Sequence, residues 1–343
     1  MKSAPQHWGT ESVGLGKKCM MTMLMINLSN WMTNLPDDVK KRPLRRLSIP
    51  GSHNSGTCDL SRKAGNDAFC MNIPAFARPW SKCQRDTIKT QLEFGIRYLD
   101  IRLDFDDTKS AFYITHFLRS KSHPIQCMET VKTFLDAHPE EVVIVDFQHY
   151  YHFSLELVDE FLTCVVELFG RKICPVPTDA DSLTLQYLQE NHYQVLLINR
   201  YQCRGESVGN SNLFFRSTDF PTFWPNTDDG EKVIDVAKEV ALNRIGSFGY
   251  ITQLVLTAQG PKNFVYLSLK SFHTSRLWGK AMAWLRSLKG GSQPSIVITD
   301  FIDYQNYTFP ITVIMLNYLK DGEIIKDNMS IETASLESSL DET

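Results

Sequence analysis

Short apolar, β-branched runs alternate along this chain with longer stretches in which apolar residues recur every three or four positions. Segments 44–49, 96–103, 112–115, 142–147, 195–198, 251–256 and 296–299 read as buried strands. Leu155, Val158, Leu162, Val165 and Phe169 fall at helical steps, as do Leu277, Ala281, Trp284 and Leu288, the pattern of helices laying one face on a sheet. This alternation predicts an α/β fold with a parallel sheet covered by helices. The strand number favours a TIM-like (β/α)8 barrel over an open doubly wound sheet. Seven strands are a minimum, so irregular or incomplete closure is allowed for. No glycine-rich phosphate loop follows the first strand, which speaks further against a dinucleotide fold. Residues 1–29 lack periodicity and 321–343 are polar, acidic and poor in aromatics; both are expected to be flexible tails flanking one domain over 30–320.

With 343 residues, 43% apolar and 22% charged, the chain is ample for a large core. A net charge of −3 gives no general attraction for nucleic acid or an anionic membrane, so any such contact has to come from a local patch. The evident patch is Lys40, Lys41, Arg42, Arg45 and Arg46, which precedes the first strand and is expected on the barrel face away from the strand C-termini. The eight cysteines form no CxxC pair and no tight sequence cluster with histidine, so neither a disulfide framework nor a zinc site is expected. Cys164, within a helical pattern, reads as a small buried apolar group. The apolar run 20–26 is too short to span a membrane and follows a polar leader containing Glu11, so no signal peptide is read. On that reading the sequons at Asn27, Asn306 and Asn328 are chance matches, and the expected location is cytoplasmic.

Functional groups of such a barrel gather at the C-terminal ends of its strands. His53, Asp100, Arg102, His116, Asp146, Arg200 and Asp300 all fall at or just after predicted strand ends. A lone histidine or aspartate there commonly only satisfies a turn amide. Seven on one rim are harder to explain structurally, because desolvating two imidazoles, two guanidiniums and three carboxylates together is costly. The group types suit one reaction, cleavage of a phosphodiester by a neighbouring hydroxyl. That reaction needs a base, an acid for the leaving alkoxide and a cation for the phosphoryl oxygens. Histidine suits both proton roles because its reference pKa of about 6.5 lies near neutrality.

Three strings make the site more specific: Ser48-Ile49-Pro50-Gly51-Ser52-His53-Asn54-Ser55, Gly95-Ile96-Arg97-Tyr98-Leu99-Asp100-Ile101-Arg102 and Tyr113-Ile114-Thr115-His116. Their order and spacing resemble the catalytic X region of phosphatidylinositol-specific phospholipase C, in particular the short animal PI-PLC X domain-containing proteins, over roughly residues 31–319. The resemblance implies that His53 takes the proton of the inositol 2-hydroxyl and His116 protonates the diacylglycerol oxygen. Asp300, in Thr299-Asp300-Phe301, resembles the carboxylate that orients the first histidine. Arg102 stands where the calcium-dependent enzymes have a carboxylate and the bacterial enzymes an arginine, which implies catalysis with no metal and no cofactor. Asp100 is then expected to hold that guanidinium in place and, with Asn54 and Arg200, to count among the substrate-binding residues. Asn54 departs from the aspartate usual in the bacterial enzymes. It is expected to donate to the phosphate; the alternative leaves His116 without a carboxylate partner and the rate low. Arg200 is similar to an arginine that contacts inositol hydroxyls, while Gln148 replaces a lysine, which points to unphosphorylated phosphatidylinositol.

The implied partner is thus phosphatidylinositol at a membrane surface, met peripherally, with no nucleic acid and no transmembrane segment. Phe76, Trp80, Phe223 and Trp224 are the loop aromatics available for interfacial contact. Two other readings stay open: a weak or inactive barrel that binds inositol lipid or a protein, motivated by Asn54 and Gln148, and a metal-dependent glycerophosphodiesterase, which Arg102 speaks against.

Overall fold

The computed structural model describes residues 27–67, 74–242, 247–323 and 325. The expected N-terminal tail, except its last three residues, and almost all of the expected C-terminal tail lie outside them, as do Cys19, Cys70, Asn328 and the 20–26 run. The strands are β1 (Ile49–Ser52), β2 (Leu60–Ala64), β3 (Tyr98–Asp106), β4 (Ala111–His116), β5 (Leu118–Ser120), β6 (Val143–Tyr151), β7 (Val195–Asn199), β8 (Phe214–Phe215), β9 (Thr222–Phe223), β10 (Ile251–Leu254) and β11 (Ile296–Thr299). Eight of them pair in parallel in the order β9-β10-β11-β1-β3-β6-β7-β8. The sheet curls into a TIM-like barrel, and among the described residues no ladder joins β8 to β9, so closure is incomplete there.

Two features depart from the sequence reading. Residues 44–46 form a 3-10 turn rather than a strand, because Pro43 precedes it and Leu44 and Leu47, three apart, both go into the core; the first strand begins only at Ile49. The run 112–115 belongs to β4, which is antiparallel to β3 and lies outside the parallel barrel. β3 overshoots the barrel, turns at 107–110 and returns as β4, which pairs with β5 and through it with β2 in a small antiparallel sheet beside the mouth. Asp146 accordingly lies within β6, which continues to Tyr151, and not at a strand end.

The continuous apolar strands reflect burial on both faces. Ile49, Tyr98, Ile144, Leu196, Ile198, Ile296 and Ile298 belong to the cluster inside the barrel, while Leu99, Val145, Leu197 and Val297 meet the helices outside. Because side chains alternate with period two, each inward file climbs from apolar to charged: Tyr98 to Asp100 to Arg102, Ile296 to Ile298 to Asp300, Ile49 to Gly51 to His53. At Gly51 a Cβ would lie 2.8 Å from both Ile298 and Tyr98, so the neighbouring files close over a glycine there.

The helix Leu155–Phe169, capped by Ser154, buries Val158, Phe161, Leu162, Val165 and Phe169 against the sheet. Cys164 lies off that stripe and is exposed, which corrects the buried reading. At the opposite end from the mouth, Arg97 is fully buried, paired with Glu141 at 2.8 Å and donating to the Leu92, Ile96 and Ser29 carbonyls. The basic cluster is there too, with Lys40 and Lys41 beside Glu140 and Glu190, Arg42 paired with Asp38 and Arg45 with Asp181.

Candidate active site

His53 leaves the end of β1 directly into a turn whose next residue, Asn54, takes a left-handed backbone (φ 47°), a conformation asparagine tolerates. Its amide donates to the Thr299 carbonyl at 3.1 Å, which fixes the turn to β11. The His53 ring is then gripped from both sides. Nδ1 lies 2.7 Å from Oδ1 of Asp300, and Nε2 lies 3.0 Å from Nη2 of Arg102 and 3.1 Å from Nδ2 of Asn54. A carboxylate on one nitrogen and two donors on the other select the tautomer with hydrogen on Nδ1 and a lone pair on Nε2. Burial alone would raise the Asp300 carboxyl, but its attraction to and hydrogen bond with His53 hold it below the ordinary carboxylate range.

Arg102 rests on Asp100. The carboxylate lies 3.7 Å from Nη2, is 2% exposed and accepts from the Asn54 amide at 2.9 Å. Burial would raise this carboxyl also; Arg102, then His53 and the Asn54 amide, more than offset it, and Asp100 stays ionised below the usual range. The Nε of Arg102 is buried with no hydrogen-bond partner among the described residues.

His116 arrives at the same place from the hairpin, its ring centroid 6.3 Å from that of His53 at 71°. Its Nδ1 donates to the Ser81 carbonyl at 2.7 Å and lies 3.4 Å from Sγ of Cys83. Burial, reinforced by the positive Arg102, pulls the His116 pKa from 6.5 down to about 3, so the free site holds it neutral. His53, Arg102, His116 and Asp300 line one cavity of about 570 Å³, walled further by Trp80, Tyr151 and Trp224.

Three expectations change. Arg200 does not line this cavity. Its guanidinium makes a buried fork to Asp146 at 2.7–3.0 Å and donates to the Phe220 carbonyl, so it braces the barrel beside the open seam instead of presenting donors to a headgroup. Asn54 and Asp100 lie beneath the cavity wall. The Asn54 amide nitrogen is turned to His53 and, at 3.3 Å, to Cys83, and its Oδ1 is unpartnered among the described residues. Cys83 is the residue the sequence reading missed. It is fully buried, between Asn54 and His116, with burial and then the Asp300 charge pushing its thiol well above the ordinary range. Spacing carried no signal for it, because the groups it meets come from different strands.

The X domain model of phosphatidylinositol-specific phospholipase C matches residues 71–201. PI-PLC X domain-containing protein 3 of Danio rerio is 31% identical over 317 residues, covering 87% of this chain and 96% of that protein. The Homo sapiens protein of the same name is 31% identical, covering 86% and 95%. This chain belongs to the PI-PLC X domain family. Among solved structures, the phosphatidylinositol-specific phospholipase C from Listeria monocytogenes superposes with a TM-score of 0.64 at 18% identity, covering 85% of this chain and 99% of that one. A Staphylococcus aureus enzyme of the same description gives 0.63 at 17%, covering 88% and 99%. These likenesses establish that the X domain chain has the bacterial phospholipase barrel. Among the described residues no helix is long and apolar enough to cross a membrane.

Proposed function

We propose that this X domain protein is a phosphoric diester hydrolase that cleaves phosphatidylinositol to diacylglycerol and a cyclic inositol phosphate. The observation that carries the reading is the convergence of His53, His116 and Arg102 on one cavity, with His53 held between Asp300 and Arg102. The inositol 2-hydroxyl gives its proton to Nε2 of His53 as its oxygen bonds to phosphorus. The bond from phosphorus to the diacylglycerol oxygen breaks, and His116 supplies that oxygen with a proton. Asp300 stabilises the His53 imidazolium. Arg102 supplies the positive charge that calcium provides elsewhere in the family, and moves a donor from His53 to a phosphoryl oxygen. For His116 to act as an acid its pKa has to rise on binding, and an anionic phosphodiester beside it acts in that direction.

The catalytic unit is proposed to span 30–320. The protein is proposed to be cytoplasmic, touching membranes transiently in lipid degradation or signal transduction. The exposed Phe223 and Trp224, directly after or within β9 at the mouth, are suited to that contact. A second reading, a barrel that binds inositol lipid with little or no turnover, is favoured by the depressed His116 pKa and its backbone partner in place of a carboxylate.

The test is release of water-soluble inositol phosphate from phosphatidylinositol vesicles in EDTA. Turnover that survives the chelator and vanishes in His53→Ala and Arg102→Ala supports the hydrolase. Lipid binding without turnover supports the second reading, and chelator-sensitive turnover a metal-dependent diesterase.

A further inference from the structure

A ring nitrogen of His53, Sγ of Cys83 and a carboxylate oxygen of Asp300 all lie within 4.8 Å of one another. We propose that these three side chains form an inhibitory site for a thiophilic divalent cation of the zinc class, set inside the centre that the hydrolase reading assigns to catalysis. Imidazole, thiolate and carboxylate are the donor types zinc takes, at about 2.0–2.3 Å, and three protein ligands leave the fourth tetrahedral position open. Donors bound at those lengths stand about 3.3–3.7 Å apart, so contraction of the trio by about 1 Å brings all three to bonding distance.

A second, independent observation points to a ligand. Asp300 is 1% exposed, yet its Oδ2 has no hydrogen-bond partner among the described residues, an arrangement that costs free energy in a buried carboxylate and that a cation relieves. The neighbouring Asn54 Oδ1 is likewise buried and unpartnered. Approach is open, because His53 and Asp300 both line the cavity. Electrostatics are balanced in favour of binding: Asp300 and the thiolate form of Cys83 would contact the ion, whereas Arg102 faces it only across the His53 ring. On binding at Nδ1, the Cys83 thiol loses its proton to solvent and the His53 proton passes from Nδ1 to Nε2, so the imidazole stays neutral and Nε2 gives up its contacts with the Arg102 and Asn54 donors.

The consequence for the proposed reaction is loss of the base. An ion held by Nδ1 of His53 and by Asp300 leaves the ring proton on Nε2, which then cannot accept another, and takes up the carboxylate that stabilises imidazolium. The inhibitory part of the inference therefore rests on the hydrolase reading; the binding part does not.

Full-length protein titrated with Co²⁺ is expected to show a one-to-one thiolate-to-cobalt charge-transfer band, displaced by Zn²⁺, with phosphatidylinositol turnover falling as Zn²⁺ fills the site. Cys83→Ser removes the band and weakens zinc affinity by at least about 100-fold. Asp300→Asn retains the thiol and weakens binding similarly, which covers the case of a serine variant that fails to fold. The exposed Cys164 is the control: Cys164→Ser leaves the band unchanged. A band that persists in Cys83→Ser, no band in folded wild-type protein, or zinc-stimulated turnover overturns the proposal. Cobalt binding without any lipid turnover sinks the hydrolase reading and leaves the metal site standing; turnover without cobalt binding does the reverse.

Discussion

Nη2 of Arg102 stands 3.0 Å from Nε2 of His53, while the same guanidinium lies 3.7 Å from the Asp100 carboxylate. A permanent cation thus occupies the side of the ring from which a base must accept its proton. Asp100 keeps the site from being a bare repulsive pair. Burial by itself would lower the Arg102 pKa, but the Asp100 charge beside it more than compensates, so the guanidinium stays charged.

Arg102→Ala is therefore expected to lower kcat on phosphatidylinositol by at least about 10²–10³-fold, the loss typical of removing one preorganised donor to a developing oxyanion. Arg102→Lys keeps the charge but offers one point donor, and is expected to recover only part of it. Initial rates in EDTA with both variants check this. A lysine variant equal to wild type would mean that charge alone, without the fork, is sufficient.

The barrel was legible because short, continuous apolar runs rich in β-branched residues leave a signature that survives without neighbours: 195–198 and 296–299 are apolar on both faces and read as buried strands. The convergence of His53 and His116 on one cavity was legible through motif order. His116 was placed on the right rim for the wrong reason, since a hairpin and a parallel strand share the same local alternation and only pairing distinguishes them. Arg200 was misread because a polar residue after a strand looks the same whether it faces ligand or Asp146. Cys83 was invisible, as a buried thiol gains its meaning solely from Asn54, His116 and Asp300, none of them local to it.

Acid should destabilise the fold in a defined window. The unfolded chain protonates its histidine near 6.5, whereas folded His116 resists protonation down to about 3. Between those values the unfolded state binds more protons, so stability is complete above about pH 6.5 and falls progressively as pH drops toward 3. His149 and His273, also lowered by burial, act in the same direction; Asp100 and Asp300, held below their ordinary range, add a loss that begins as pH falls through the ordinary carboxylate range and is complete below it. Urea midpoints at about pH 7 and pH 4.5 are expected to differ less in His116→Asn than in wild type. Equal slopes would show that His116 is not a major source of the acid sensitivity.

Phe223 and Trp224 are 59% and 54% exposed, and the indole is tied at the mouth by its hydrogen bond to Thr257 at 2.9 Å. Such side chains at the entrance to the cavity favour a membrane interface over water. Each alanine substitution is expected to cost about 1–2 kcal/mol, or ~5–30-fold, in partition onto phosphatidylinositol-containing vesicles. Vesicle co-sedimentation reads this directly. Turnover of a monomeric short-chain substrate should fall less than turnover on vesicles, and an equal fall in both would place these aromatics in headgroup binding instead of membrane contact.

Gly51 links the packing of the barrel to the chemistry above it. A methyl group there would sit 2.8 Å from Ile298 and from the Tyr98 ring, both in strands adjacent to β1. Neither neighbour is a flexible chain end: Ile298 is fixed one position inward of Asp300 along its file, and Tyr98 is buried with its hydroxyl donating to Asp146 at 2.6 Å. Relief requires β1 to move away from β3 or β11, and His53 rides on the end of β1. Gly51→Ala is thus expected to lose about 1–3 kcal/mol of stability by overpacking and, because a displacement of about 1 Å at a reacting group can cost 10²-fold in rate, to lose activity well below its denaturation midpoint. Denaturant unfolding and initial rates on the same preparation separate the two effects. Stability reduced with full activity would mean that the strain is absorbed on the Tyr98 side, away from the His53–Asp300 contact.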